Sequence, residues 1–140
     1  MAVYDKPLKS LMFAPEERIG LVTEAFKDNP KIKVMGYSGL TVDFARQIDA
    51  QVITRGLRVF SDFEFEFRMG LANQRLASDI ETDAFITAEQ HTFLSSSTVK
   101  EIASLQGDVS SMVPPHVEKA LKTKVSNLGD GHSPPNSLRD

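Results

Sequence analysis

An α/β fold built on a doubly wound parallel sheet is predicted by two features of this sequence. Short β-branched or alternating runs, MAVY, KIKVMGY, AQVIT and DAFIT, take turns with segments of helical periodicity from end to end. Alternation of that kind builds parallel strands joined by right-handed crossovers, with helices on both faces. The 140 residues are 41% hydrophobic and 25% charged, which suits a single domain around one core. In such a sheet ligands sit beyond the carboxyl ends of the strands, and that rule singles out three loops, Asp5 to Phe13, Arg55 to Ser61 and Ala88 to Ser97.

The elements follow in order. MAVY is a short strand, and DKPLKSLMF a loop. From Pro15 to about Lys27, the residues Ile19, Leu21, Val22, Ala25 and Phe26 recur at helical spacing. Pro15 suits the first turn, and Glu16 and Glu17 favour the positive end of the dipole there. KIKVMGY alternates as a strand, and Ser38 is a candidate N-cap for a helix through LTVDFARQI. AQVIT and DAFIT are strands, with RMGLANQRLA helical between them. Serines then precede a helical pattern that ends at Gly107, and a last helix starts near Pro114 and Pro115 and runs through HVEKALKTKV. Residues 1–125 therefore make the domain. Residues 126–140 lack a buriable face and are expected to be a disordered tail.

Composition removes several classes of function. A net charge of −3 speaks against a general nucleic-acid or membrane-surface binder, because non-specific phosphate binding needs a dense excess of Lys and Arg. Any anion site must be local. With no cysteine, thiolate metal sites, disulfides and cysteine nucleophiles are excluded. No apolar run approaches the roughly 20 residues of a membrane span, so a cytoplasmic location is the default expectation.

The segment RGLRVFSDFEFEF, Arg55 to Phe67, carries the first candidate site. Its alternation of Phe and Glu imitates a strand, but Ser61-Asp62-Phe63-Glu64 matches a capping box and opens a helix instead. On that helix Phe63, Phe67, Gly70 and Leu71 form one apolar stripe, and Phe65, Met69, Ala72 and Leu76 a second, roughly opposite. A helix with two apolar faces is buried on two sides, one on the sheet and the other against a second subunit or a further helix. Arg55 and Arg58 flank Gly56 at a strand's carboxyl end, where guanidinium forks grip phosphate and glycine lets backbone approach it. Two arginines near a turn serve equally as surface ion-pair partners, and both readings stay open. Ser95-Ser96-Ser97-Thr98 offers hydroxyls and amides at a helix start, a second anion site or a plain N-cap. Lys9 lies on the first of the three loops, while His91, His116 and His132 show no spacing that suggests a metal cluster or a triad.

With these pieces together, the chain resembles bacterial phosphopantetheine adenylyltransferase, a nucleotidyltransferase of coenzyme A biosynthesis with a Rossmann-like fold. The match is carried by KPLKSLMFAPEERIGLV, YSGLTVDFAR, VITRGLRVFSDFEFEFRMGLANQRLA and TFLSSSTVKEIASLQGDVSSMVPPHVEKAL. In that family AMP passes from ATP to phosphopantetheine, giving dephospho-coenzyme A and pyrophosphate. The resemblance implies that Lys9 and Arg55 contact the phosphopantetheine phosphate and that Thr41 lies along the pantetheine arm. It implies that Gly56, Leu57, Arg58 and Glu66 face ATP together with His91, Thr92, Phe93, Leu94, Ser95, Ser96 and Ser97. Mg²⁺ is the implied metal, held largely by nucleotide phosphates with no metal ligand named in this chain. A homo-oligomer, a hexamer in the family, would cover the second apolar stripe. At His91 the family usually has tyrosine or tryptophan.

Members of that family begin with a strand, a loop of the form P-G-[ST]-F-D-P-x-T-x-G-H and a helix, for which this sequence has no counterpart. The family's catalytic histidine is therefore not identifiable here, and the only Gly-His pair is Gly131-His132. That strand is central in the sheet, so a gap is expected between the MAVY and QVIT strands, and a start downstream of the true one is the favoured explanation. The alternative function is a non-catalytic module that binds a nucleotide, dephospho-coenzyme A or coenzyme A.

Overall fold

The computed structural model describes residues 1–6 and 11–129, with the side chains of 128 and 129 left aside. The expected alternation is present: β1 (Ala2–Tyr4), α1 (Pro15–Ala25), β2 (Met35–Tyr37), α2 (Thr41–Gln47), β3 (Val52–Leu57), α3 (Phe60–Leu76), β4 (Glu81–Ile86), α4 (Ser96–Ser104) and α5 (Pro115–Gly129). A short 3-10 turn, Glu89–His91, lies between β4 and α4. The strands are parallel. β3 and β4 pair in register from Val52 opposite Glu81 to Leu57 opposite Ile86. In the other pair the Met35 amide donates to Met1 and the Asp5 amide to Tyr37, both at 2.9 Å, so β1 and β2 also run the same way. Among the described residues no ladder joins β1–β2 to β3–β4, so β1 and β3 are not paired.

The single core expected from composition resolves into two. The chain forms two compact units, one from the described parts of 7–35 and 94–140 with Met1, the other from 2–6 and 36–93. In the second unit Val42, Ala45, Ala77 and Ile80 are buried together, with Ala50 and Ile53 against them. In the first, Val99 and Ala103 of α4 pack on Val109 and on Leu121 of α5, flanked by Met12, Phe13 and Val117. There α1 and α5 are tied by His116 Nε2, which donates to the Leu21 carbonyl at 2.9 Å. The Lys124 ammonium lies 2.8 Å from Glu17 and over the Phe13 ring.

Helix boundaries depart from expectation for identifiable reasons. β3 does not stop at Thr54: Arg55, Gly56 and Leu57 stay in the ladder opposite Ala84, Phe85 and Ile86. Their backbone groups find partners there, and only Arg58 and Val59 connect strand to helix. Ser61 is not the cap of α3, which opens at Phe60 after Val59. Instead the Asp62 carboxylate turns back to accept the Arg58 amide at 3.1 Å. Ser38 is not the cap of α2 either, because Gly39 at φ 82° redirects the chain and Leu40 takes the cap position. At α1 the Glu17 carboxylate accepts the Ala14 amide at 2.8 Å, with Pro15 as the first helical residue. α5 continues past Val125 to Gly129, where the tail was expected to lack structure. Residues 130–140, His132 among them, lie outside the described residues.

α3 was expected to be buried on two sides, yet none of its residues is buried. The sheet beneath it is two strands wide, and a cavity of about 290 Å³ separates part of its inner stripe from β3 and β4. Phe63 and Phe67 stack on each other with ring centroids 5.7 Å apart.

Two helices end in the same way. After α4 the Gly107 amide donates to Ile102 at 2.8 Å and the Gln106 amide to Ala103 at 3.0 Å, a Schellman motif with Gln106 at φ 60°. After α2 the Ala50 amide reaches Ala45 and the Asp49 amide Arg46, with Asp49 at φ 55°. The glycine read as the stop of α4 is thus one residue beyond the left-handed position. It serves close approach instead, since a Cβ on Gly107 would meet Ile102 Cγ2 at 2.6 Å. Left-handed backbone is costly for any residue with a Cβ, less so for Asp than for Gln. Gln106→Gly is expected to stabilise the chain by about 1 kcal/mol and Asp49→Gly by less. Denaturant unfolding of the two variants measures both; destabilisation by Gln106→Gly would refute this account of the α4 end.

Candidate functional site

The residues singled out by the sequence fall into both units. In the unit containing β3, strand alternation puts Arg55 and Leu57 on one face, opposite Gly56. Thr82 and Ala84 of β4 lie on that same face by register. Across from them α3 presents Phe63, Glu66, Phe67, Gly70, Leu71 and Gln74, spaced three and four apart along one helical stripe. These side chains line the cavity of about 290 Å³.

Arg55 and Glu66, which both line the cavity, are paired. The Arg55 Nε donates to Oε2 at 2.8 Å and its Nη2 to Oε1 at 2.6 Å, a bidentate pair. The Glu66 side chain is 13% exposed and the Arg55 side chain 48%, so the carboxylate is the inner partner. Hydrogen bonding to Glu66 pushes the Arg55 pKa up against the opposing pull of its own partial burial, and the guanidinium stays charged. Arg58 is engaged similarly: its Nε lies 3.0 Å from Asp62 Oδ2, which also takes the Arg58 amide. Both arginines are thus held in ion pairs with α3.

The open side of β3 is at Gly56, where an added Cβ would meet nothing within 4 Å. Backbone there is accessible to a ligand. Thr41, the first residue of α2, shares a hydrogen bond with the Tyr37 hydroxyl at 2.9 Å. The Tyr37 ring is held between Tyr4, 5.2 Å away and tilted, and Phe44, stacked at 4.8 Å. His91 ends the 3-10 turn, exposed, with Gln90 beside its Nε2. Thr92 is half-buried and Phe93 is exposed.

Leu94 to Ser97 belong to the other unit. Ser95 is the N-cap of α4, accepting from the Thr98 amide at 3.0 Å and bonding the Thr98 hydroxyl at 2.8 Å. Only one serine is needed as a cap, and Ser96 and Ser97 are exposed in the first turn, where helical amides have no intrahelical acceptor. Lys9 lies outside the described residues. The contacts of Asp62 with Arg58 and of Tyr37 with Thr41 were not expected from the sequence. The spacing of Arg58 and Asp62, four apart, was a signal for the first; Tyr37 and Thr41 lie on different elements, and nothing in the sequence marks their contact.

Comparison with known proteins decides the family. Residues 2–102 match the model of the cytidylyltransferase-like family. A phosphopantetheine adenylyltransferase of Roseiflexus sp. (strain RS-1) is 52% identical over 122 residues, 87% of this chain and 76% of the relative. The chain belongs to the phosphopantetheine adenylyltransferase family. Proteins of that name from Desulfitobacterium hafniense (strain DSM 10664 / DCB-2), 48% identical over 83% of this chain and 71% of the relative, and from Burkholderia mallei (strain SAVP1), 45% identical over 95% and 80%, extend the match. The cytidylyltransferase-like match supports the Rossmann-type α/β reading of the parallel strands and intervening helices. Among the described residues no helix is long and apolar enough to cross a membrane.

The Asp62 carboxyl is held below its ordinary value, first by the Arg58 guanidinium and then by the Arg58 amide. A depressed carboxyl contributes stability that is present above the ordinary carboxylate value and is lost as pH falls through its own lower one. An NMR titration of Asp62 is expected to give a midpoint below that of an exposed aspartate, returning toward it in Arg58→Ala. An unmoved midpoint in the variant would show that the pair is not formed in solution.

Proposed function

We propose that this chain carries out the reaction for which its relatives are named, adenylyl transfer from ATP to phosphopantetheine with release of pyrophosphate and formation of dephospho-coenzyme A. The support is identity of 45–52% to such proteins over most of the chain, together with a guanidinium presented on a strand beside an open cavity. Such transfer depends on positioning and on charge stabilisation at the phosphoryl centre more than on covalent chemistry by the protein. Arg55 is assigned the phosphopantetheine phosphate, with Lys9, and Thr41 the pantetheine arm. Arg58 with Gly56 and Leu57, Glu66, the His91–Phe93 turn and the Leu94–Ser97 helix start are assigned to ATP. Each would contribute hydrogen-bond donors or acceptors fixed by its own element rather than by the ligand.

Magnesium is proposed to arrive with the nucleotide. Among the described residues no three His, Cys, Asp or Glu side chains gather into a cage, and none of the assignments above runs through the ion. The cytoplasm is the proposed location. A homo-oligomer, six-fold as the resemblance implies, is proposed to cover Phe65, Met69 and Leu76 of α3, all of them exposed here.

Equilibrium binding and pyrophosphate release by the 140-residue chain test the reading. Arg55→Ala is expected to weaken phosphopantetheine binding about 10- to 100-fold, as loss of a charge-assisted bidentate contact does, with ATP affected less. Arg58→Ala is expected to do the reverse. Binding without pyrophosphate release would favour the non-catalytic module, and unaltered binding in both variants would remove the site assignment.

A further inference from the structure

Arg55 meets its ligand with its better edge already taken. The Nε and Nη2 donors that form a planar fork toward phosphate are the two that hold Glu66, and both carboxylate oxygens are used in return. An anion reaching Arg55 from solvent can meet the end-on edge, Nη1 with the second Nη2 hydrogen, at once, but it gains the Nε–Nη2 fork only by displacing Glu66. The cavity of about 290 Å³ that both side chains line gives the displaced carboxylate somewhere to move without leaving the site. A carboxylate is an acceptor only. Once freed, it can offer a nucleoside's hydroxyl or amino donors all of its acceptor sites, including the two that Arg55 holds in the free protein.

We infer that Glu66 is a stand-in for the substrate phosphate: it occupies Arg55 in the free protein, yields to phosphopantetheine, and is thereby released to ATP, so that the two substrates bind cooperatively. This rests on the adenylyl-transfer reading and adds to it a positioning residue and a coupling. Because linkage is reciprocal, ATP must strengthen phosphopantetheine binding by the same factor as phosphopantetheine strengthens ATP binding. The size is bounded by the pair itself. Partly exposed ion pairs are weak, so removing the competing charge should tighten the anion by about 2- to 5-fold and no more.

Calorimetric titration of phosphopantetheine into the wild-type chain and into Glu66→Gln, each with and without saturating ATP, tests it. Gln keeps the shape of Glu and drops the charge. The expected result is tighter phosphopantetheine binding by Glu66→Gln in the absence of ATP, with the enhancement by ATP present in the wild type and lost in the variant. In ¹⁵N spectra the Arg55 Nε–H resonance should move away from its carboxylate-paired position on phosphopantetheine addition to the wild type, and should start away from that position in the variant and move less on addition, a difference in response that a purely structural role for Glu66 would not produce. Equal or weaker binding by Glu66→Gln, or an equal ATP enhancement in both chains, overturns the inference and leaves the reading intact. No phosphopantetheine binding by the wild type overturns the reading and the inference together.

Discussion

The parallel ladder between β3 and β4 is the constraint on which the candidate site depends. Because Arg55, Gly56 and Leu57 stay paired with Ala84, Phe85 and Ile86, the backbone beneath them is not free to choose its direction. Strand alternation then decides that Arg55 faces α3 and that Gly56 faces away. Had these residues formed a flexible turn, the guanidinium would pay the full cost of ordering when a ligand binds. On a strand much of that ordering is complete beforehand. The weak element is the narrowness of the platform, since β3 has one ladder partner among the described residues and α3 above it has no buried residue.

The arginine pairs follow from that platform. A guanidinium held over a helix face will find whatever carboxylate the helix offers, and α3 offers Glu66 to Arg55 and Asp62 to Arg58. A partly exposed pair such as that of Arg55 and Glu66 contributes at most about 1 kcal/mol. A doubly charged phosphate in bidentate contact offers more, about 1.5–3 kcal/mol per hydrogen bond to a charged group. The comparison decides which interaction wins: the internal pairs keep the arginines extended and ordered, and the ligand can still displace them. The Ser95 cap works by the same economy in its own unit, using one hydroxyl to fix the helix start and leaving Ser96 and Ser97 exposed.

The order and type of the elements were legible in the sequence because periodicity reports burial, and burial is what separates these strands from these helices. The family was legible because R-G-L-R, S-D-F-E-F-E-F and F-L-S-S-S are specific in combination. The extent of β3 was not, since a polar Arg-Gly-Leu continuation carries no apolar pattern and is held only by the strand beside it. Ser38 and Ser61 misled for a related reason: good capping residues near a helix start are used only if the chain turns there, and Gly39 and the Asp62–Arg58 contact moved both starts. Pairing of Arg55 with Glu66, remote in sequence and on different elements, is a product of packing that no local rule contains.

Hydrogen exchange at the Thr87 amide is the most direct measure of the central claim, because that amide donates to the Leu57 carbonyl at 2.9 Å and closes the ladder at the end that carries Arg55. If Arg55 to Leu57 are strand, Thr87 exchanges as slowly as the Glu81 amide, which donates to Gln51 at the other end of the same ladder. Exchange of Thr87 at the rate of an unprotected loop while Glu81 stays protected would return Arg55 to a flexible turn and contradict the account.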